Sequence, residues 1–327
     1  MKFLLLIFFI LSSCALYTDK SYKNSPVLTA NYFTEKKLII DAKNSVESFI
    51  ASWRQENGIK EDILSSRQIR TEAYEIERIF NGLPLDLKRF LELKVEKFII
   101  VDKLGVSQFV HQLKNKKFLV FIDSRINSLG INDWYKHREY SALNKTKSDI
   151  TMEPYLGHGN LKTDTIQFVL AQTIALIIST DERFFPQNFE TIESFQKDSF
   201  ISESWIINNG IISSKWQKYL SEIKFISFYG QSSRTINFDK VYEFYQLLER
   251  TNFVNLYASS SPLRDFVESI AGYIHYKYFK KPFHIEFYEK EILLDSFSSC
   301  IVNERCIGKR QKIEKMLKSS LFPLVTN

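Results

Sequence analysis

Five histidines, His111, His137, His158, His275 and His284, are spread over 327 residues, and no two stand four apart. A helix-borne zinc site needs two imidazoles leaving one helix face at that spacing, so the sequence carries no such signal. Glycine and proline are scarce, at 10 and 7 residues. A nucleophile elbow of the Gly-x-Ser-x-Gly type is missing, because Gly230-Gln231-Ser232-Ser233 lacks the closing glycine. Gly157 and Gly159 lead into neither a third glycine nor a Gly-Lys-Ser/Thr run, so no phosphate-binding loop is expected. The longest internal apolar run, Phe168 to Ile178, is about half the length a spanning helix needs. A net charge of +6 arises from 44 basic residues scattered among 38 acidic ones. That scatter offers no dedicated stripe for nucleic acid, and an anionic surface is at most a neighbour.

Aromatic residues, by contrast, are plentiful, with 28 Phe and 16 Tyr. With apolar residues at 44% and charged residues at 25%, the composition is that of a globular protein with a sizeable, aromatic-rich core. The chain opens with Met1-Lys2, the apolar run Phe3 to Leu11, and then Ser12-Ser13-Cys14. A positive start, an apolar stretch and small residues before a cut are the parts of a secretory signal. As a helix the run would span roughly 14 Å, under half a bilayer core. Leu11-Ser12-Ser13-Cys14 resembles the lipobox of bacterial lipoproteins, in which the cysteine is acylated before cleavage. The resemblance implies lipidation at Cys14 and anchoring in the cell envelope. Ala15 in place of aspartate implies the outer membrane, facing the periplasm. Export makes oxidation of the other two cysteines, Cys300 and Cys306, the expected state. The alternative is a reduced or metal-bound pair, for which nearby histidines are wanting.

The expected organisation is a signal peptide over 1–13, a lipidated tether over 14–31, and a single domain over 32–327. The tether is polar, without an apolar period. Within the domain, 32–96 reads as helical, from Ile39, Ile40, Val46, Phe49 and Ile50, then Leu64, Ile69, Tyr74, Ile76 and Ile79, with a further helix over Leu85 to Leu93 after the break at Gly82-Leu83-Pro84. Residues 97–180 read as a small sheet plus a buried helix. Phe98 to Val101 and Phe118 to Ile122 are short β-branched and aromatic runs, and Thr163 to Ile178 is apolar all round. Residues 181–327 read as a helical C-terminal half. Its best helix starts at Ser261-Pro262, a capping hydroxyl followed by proline in the first turn, and a basic amphipathic helix spans Lys309 to Lys318. The fold class is therefore α+β, mainly helical.

Several segments together resemble the gluzincin type of zinc metallopeptidase. The helical frame Val169 to Ile178, the segment Phe253 to Ala258, and Ser261 to Glu268 carry the likeness, with Asp133-Trp134 and the preceding strand pair in the expected order. The resemblance places Gln172 at the first zinc-binding histidine, Thr173 at the catalytic glutamate and Leu176 at the second histidine. It places Glu268 at the third ligand, in the Asp265 to Glu268 segment. An amide, a hydroxyl and an isobutyl group cannot replace two imidazoles and a carboxylate, so it implies a zincin-like scaffold without metal or other cofactor, used for binding or assembly with an envelope protein or peptide partner. A groove lined by Gln172, Thr173, Leu176 and Glu268 would be its remnant.

Each feature has a plainer reading. Gln172 and Thr173 can be polar residues hydrogen-bonded inside a buried helix. Glu268 can be solvated or paired with Arg264 one turn earlier. His158 reads as a turn residue, and His284 as a strand residue facing solvent. Two other functions stay open: an envelope hydrolase, zinc-dependent or otherwise, around His158, Asp164, Glu268 and His275, or a purely structural lipoprotein.

Overall fold

A computed structural model describes residues 14–17, 38–41, 44–56, 70–144, 148–156, 159–189, 194–208, 210–220, 226, 228 and 235–321. The expected signal peptide, most of the expected tether, Gly157-His158 and Gly230 to Ser233 lie outside them. The fold is α+β, with about 49% of the described residues in helix and 21% in strand. Among the described residues no helix is long and apolar enough to cross a membrane.

In chain order the elements begin with β1 (Cys14–Tyr17), β2 (Ile39–Asp41), α1 (Asn44–Glu56), α2 (Arg70–Asn81), α3 (Leu85–Lys94), β3 (Val95–Val101), β4 (Gln108–Gln112) and β5 (Phe118–Asp123). The strands form one sheet in the order β1-β4-β5-β3-β2. Strand β3 runs parallel to β2 and β5, and β4 runs antiparallel to β5. Alternation of side chains divides the sheet into two faces. Ile99, Val101, Phe109, Leu119 and Phe121 pack under Val46, Phe49, Ile50 and Trp53 of α1. Trp53 stacks on Phe109 at 4.1 Å, and Phe109 on Phe121 at 4.4 Å. Phe98, Ile100, Val110, Val120 and Ile122 join the main core on the other side. Burial on both faces explains why these strands read as continuous apolar runs.

The expectations for this half need two corrections. Ile39 and Ile40, grouped with a helical stripe, form strand β2 beside Phe98 and Ile99. A short β-branched run cannot be assigned by period alone, and the open parallel edge of β3 decides it. Cys14–Tyr17, the start of the expected tether, pairs in parallel with Gln108 to His111.

The second half continues with α4 (Ile131–Tyr140), β6 (Leu143–Asn144), β7 (Ile150–Tyr155), α5 (Lys162–Ser179), β8 (Trp205–Asn208), β9 (Ile211–Ser214), β10 (Ile236–Asn237), α6 (Val241–Leu248), α7 (Pro262–Phe279), β11 (His284–Glu289), β12 (Ile292–Ser298) and α8 (Ile307–Leu321). It is less purely helical than its composition suggests. Strands β8 and β9 form a hairpin, and β12-β11-β7 is an antiparallel sheet. Pro154 disguises β7, which lies at the edge of that sheet, where a missing backbone donor is tolerated.

Helices α5 and α7, each of 18 residues, pack together at the centre. Every residue of α5 from Ile166 to Ser179 except Gln167 is buried, so the helix is held by tertiary contacts on all sides. For α7 the start is local: Ser261 Oγ accepts from the Arg264 amide at 3.2 Å, and Pro262 occupies the first turn. Its end is set by Lys280 in the left-handed region (φ 60°), after which the Lys281 amide donates to the His275 carbonyl at 3.3 Å. Cys300 and Cys306 form a disulfide six residues apart, between the β11–β12 hairpin and α8.

Candidate functional site

The α5–α7 contact brings Gln172 and Glu268 together. Gln172 Nε2 donates to Glu268 Oε1 at 2.6 Å, although 96 residues separate them. The same oxygen accepts from Arg138 Nη1 of α4 at 2.9 Å, and Asn255 Nδ2 donates to Oε2 at 2.7 Å. Arg138 Nη2 also donates to Glu139 Oε1 at 3.2 Å, and Tyr245 OH of α6 donates to Glu139 Oε2 at 2.7 Å. In the other direction Gln108 Nε2 of β4 donates to Gln172 Oε1 at 3.3 Å, and Thr173 Oγ1 donates to Gln108 Oε1. A continuous polar chain thus runs Thr173–Gln108–Gln172–Glu268–Arg138–Glu139–Tyr245 through five elements. All seven residues are buried. Such a network is stabilising only when its members are satisfied.

The guanidinium of Arg138 lies among aromatic rings, 4.1 Å from the Tyr135 centroid, 4.8 Å from Tyr257 and 5.2 Å from Trp134. Burial raises the Glu139 carboxyl above its ordinary pKa, against the opposing pull of Arg138. Tyr135 and Tyr245 are pushed well up, again by burial first. The cation therefore serves two carboxylates, Glu139 and Glu268, in a water-poor interior.

Asp265, one turn before Glu268, belongs to a different group. Its carboxylate accepts from Lys309 Nζ of α8 at 2.5 Å, from Trp205 Nε1 at 3.1 Å and from Ser269 Oγ at 3.3 Å. Both ion-pair partners are fully buried. Burial lowers the Lys309 pKa, and Asp265 holds it up. Leu176, one turn beyond Gln172, is buried within the apolar core.

The residues singled out by sequence therefore converge only in part. Gln172, Thr173 and Glu268 share one network, Leu176 contributes packing, and Asp265 faces Lys309. The expected groove between them is not open, since Gln172, Thr173, Leu176 and Glu268 are each at most 1% exposed. The guanidinium on Glu268 comes from Arg138 of α4, and Arg264 Nη1 donates instead to Ser260 Oγ at 2.9 Å. Among the described residues no three His, Cys, Asp or Glu side chains cluster as metal donors. An amide and a guanidinium around one carboxylate are a poor donor set for zinc. No substrate can reach Glu268 in this arrangement.

The alternative grouping of Asp164 and His275 is bridged by Lys281. Lys281 Nζ donates to Asp164 Oδ1 at 2.5 Å, and its carbonyl lies 3.1 Å from His275 Nδ1. Glu268 is seven residues back along α7 and bonded elsewhere. His275 is buried between Phe168 and Phe279, and its Nε2 has no hydrogen-bond partner among the described residues. Burial, with Lys281 adding to it, lowers the His275 pKa from 6.5 to about 4. The neutral imidazole donates from Nδ1 to the Lys281 carbonyl, and a proton on Nε2 would be buried without an acceptor. Unfolded chains take up that proton below about pH 6.5 and folded chains only near pH 4. Stability is then full above 6.5 and falls as the pH drops, by about 3 kcal/mol at most from this residue. Urea unfolding at several pH values should show a shallower acid loss in His275→Phe than in the parent. Equal slopes would remove the effect.

Sequence reasoning missed Gln108, Arg138, Glu139, Tyr245 and Asn255. One signal was present for Arg138: it continues the stripe Ile131, Trp134, Tyr135 at helical spacing, a charged residue where an apolar one is due. His284, read as a strand residue, does lie in β11 and stacks on Tyr155 at 5.0 Å, half-buried. No protein-family model, curated protein or solved structure matches the chain.

Proposed function

We propose that this chain is an exported lipoprotein of the bacterial envelope, held in the outer membrane by lipid on Cys14 and facing the periplasm. Its domain is a degenerate, zinc-peptidase-like scaffold that works by binding or assembly with an envelope protein or peptide. The observation that carries the non-catalytic reading is the buried carboxylate of Glu268, engaged by Arg138, Gln172 and Asn255. In the family it resembles, the corresponding carboxylate would face a metal dication. Here a guanidinium supplies the positive charge and also closes the space.

Two measurements test the two halves. Cells given labelled palmitate should incorporate it into the chain, and Cys14→Ser should abolish the label; an undiminished label would refute the anchor. Purified protein should contain no stoichiometric zinc, and chelator should leave its Tm unchanged. Zinc at one per chain, removed by chelator together with a peptidase activity, would overturn the scaffold reading.

A further inference from the structure

The β11–β12 hairpin projects an apolar run into solvent. Ile292, Leu293 and Leu294 are consecutive and 70%, 53% and 40% exposed. Three exposed apolar residues in a row are uncommon outside functional surfaces. They lie on β12, the edge strand of the sheet β12-β11-β7. Among the described residues no strand pairs with its far side, which presents backbone donors and acceptors interrupted by a bulge at Leu294. The hairpin is held firmly. Its two-residue turn, Lys290-Glu291, is left-handed at both positions (φ 47° and 74°), the geometry that matches strand twist. Lys290 Nζ pairs with Asp149 at 3.1 Å. Toward the body, Phe287 and Phe297 anchor the hairpin against Tyr245.

Charge around this edge is mainly acidic. Glu289, Glu291 and Asp295 flank the apolar trio, and Glu249 stands near Asp295. None of the four has an ion-pair partner among the described residues; the neighbouring cation Lys290 is taken by Asp149, and Arg305, beside Glu249, is held by the carbonyls of Leu248, Thr251 and Ser298. These acids decide between occupants. Two copies of β12 paired antiparallel about Leu293 would stack the apolar trios, but would set Glu291 opposite Asp295 at both ends. Like charges directly opposite are destabilising. An acidic rim also repels an anionic lipid surface. The same rim attracts an extended strand that alternates basic with apolar residues.

We infer that the β12 edge, centred on Ile292, Leu293 and Leu294, receives an extended basic segment of another protein as a fourth strand of the β12-β11-β7 sheet. Backbone bonds supply the pairing, the apolar trio meets alternate side chains on the two faces, and the acids select the charge. This deepens the binding half of the proposed function, and names the class of partner.

The test uses the full chain and two short fluorescent peptides, one alternating lysine with valine and one alternating glutamate with valine, followed by anisotropy. The basic peptide should bind, more weakly as salt rises, and the acidic one should not. Leu293→Lys with Leu294→Lys should weaken binding about tenfold or more. Glu291→Lys with Asp295→Lys should transfer the preference to the acidic peptide. All four positions are exposed, so an unchanged Tm verifies folding of both variants. No binding of either peptide, binding that both double variants leave intact, or a dimer abolished by Leu293→Lys would each overturn the inference. Stoichiometric zinc would remove the scaffold reading and leave this binding result standing.

Discussion

Arg138→Met is expected to lose about 3 to 5 kcal/mol of folding stability, measured as a lower urea midpoint at neutral pH. Methionine fills much of the same volume between Tyr135, Tyr257 and Trp134, so little of the loss comes from packing. The loss comes from Glu139 and Glu268, which keep their burial and lose their shared cation. Tyr245, Gln172 and Asn255 still donate to them, but neutral donors offset only part of the desolvation of a charge. Without the lowering pull of Arg138, Glu139, already raised by burial, should take up its proton at a higher pH than in the unfolded chain. The variant's deficit against the parent should then shrink as pH falls toward 5, because the folded state binds the extra proton. Adding Glu268→Gln should recover part of the loss, since the amide oxygen can still accept from Gln172 or Asn255 and the buried charge is gone. A deficit under about 1 kcal/mol would mean that water reaches this interior, and the closed network would have to be abandoned.

Lys309→Met is expected to be nearly as damaging, with a Tm drop on the order of 10 °C. Lys309 Nζ meets Asp265 and also the carbonyl of Asn252 at 2.7 Å, so its removal orphans a charge and a backbone acceptor together. Trp205 and Ser269 continue to donate to Asp265. The double variant Lys309→Met with Asp265→Asn should be more stable than Lys309→Met alone, because asparagine can still accept from Trp205 without carrying charge. If the double variant were the worse of the two, the damage would lie in the packing of α8 and not in the stranded carboxylate.

Legibility from sequence followed the range of the forces at work. The start of helix α7 could be read to the residue, because the Ser261 cap and Pro262 act within the first turn. Strands β3 and β5 showed themselves through unbroken β-branched and aromatic runs. By contrast β2, β4 and β7 are strands because of what lies beside them, and neither Ile39-Ile40 nor Met152-Glu153-Pro154 states that alone. The same division holds inside the network. Gln172 and Glu268 were singled out because they sit in a helical frame resembling a known one. Arg138 answers a carboxylate 130 residues away, and only the folded topology connects them. Of the readings open for Glu268, the solvated one fails, because Arg138, Gln172 and Asn255 enclose its carboxylate.

That separation has a consequence for how the chain is made. At a synthesis rate of about 5 to 20 residues per second, roughly 6 to 26 seconds pass between the emergence of Arg138 and that of Glu268. Lys309 trails Asp265 by 44 positions. During that interval the centre of the molecule can collapse around apolar groups, but its charges must stay wet until the late helices arrive. A chain cut short before α7 would hold Arg138 and Glu139 with no carboxylate from that helix to complete the set, and should remain open to protease through α4.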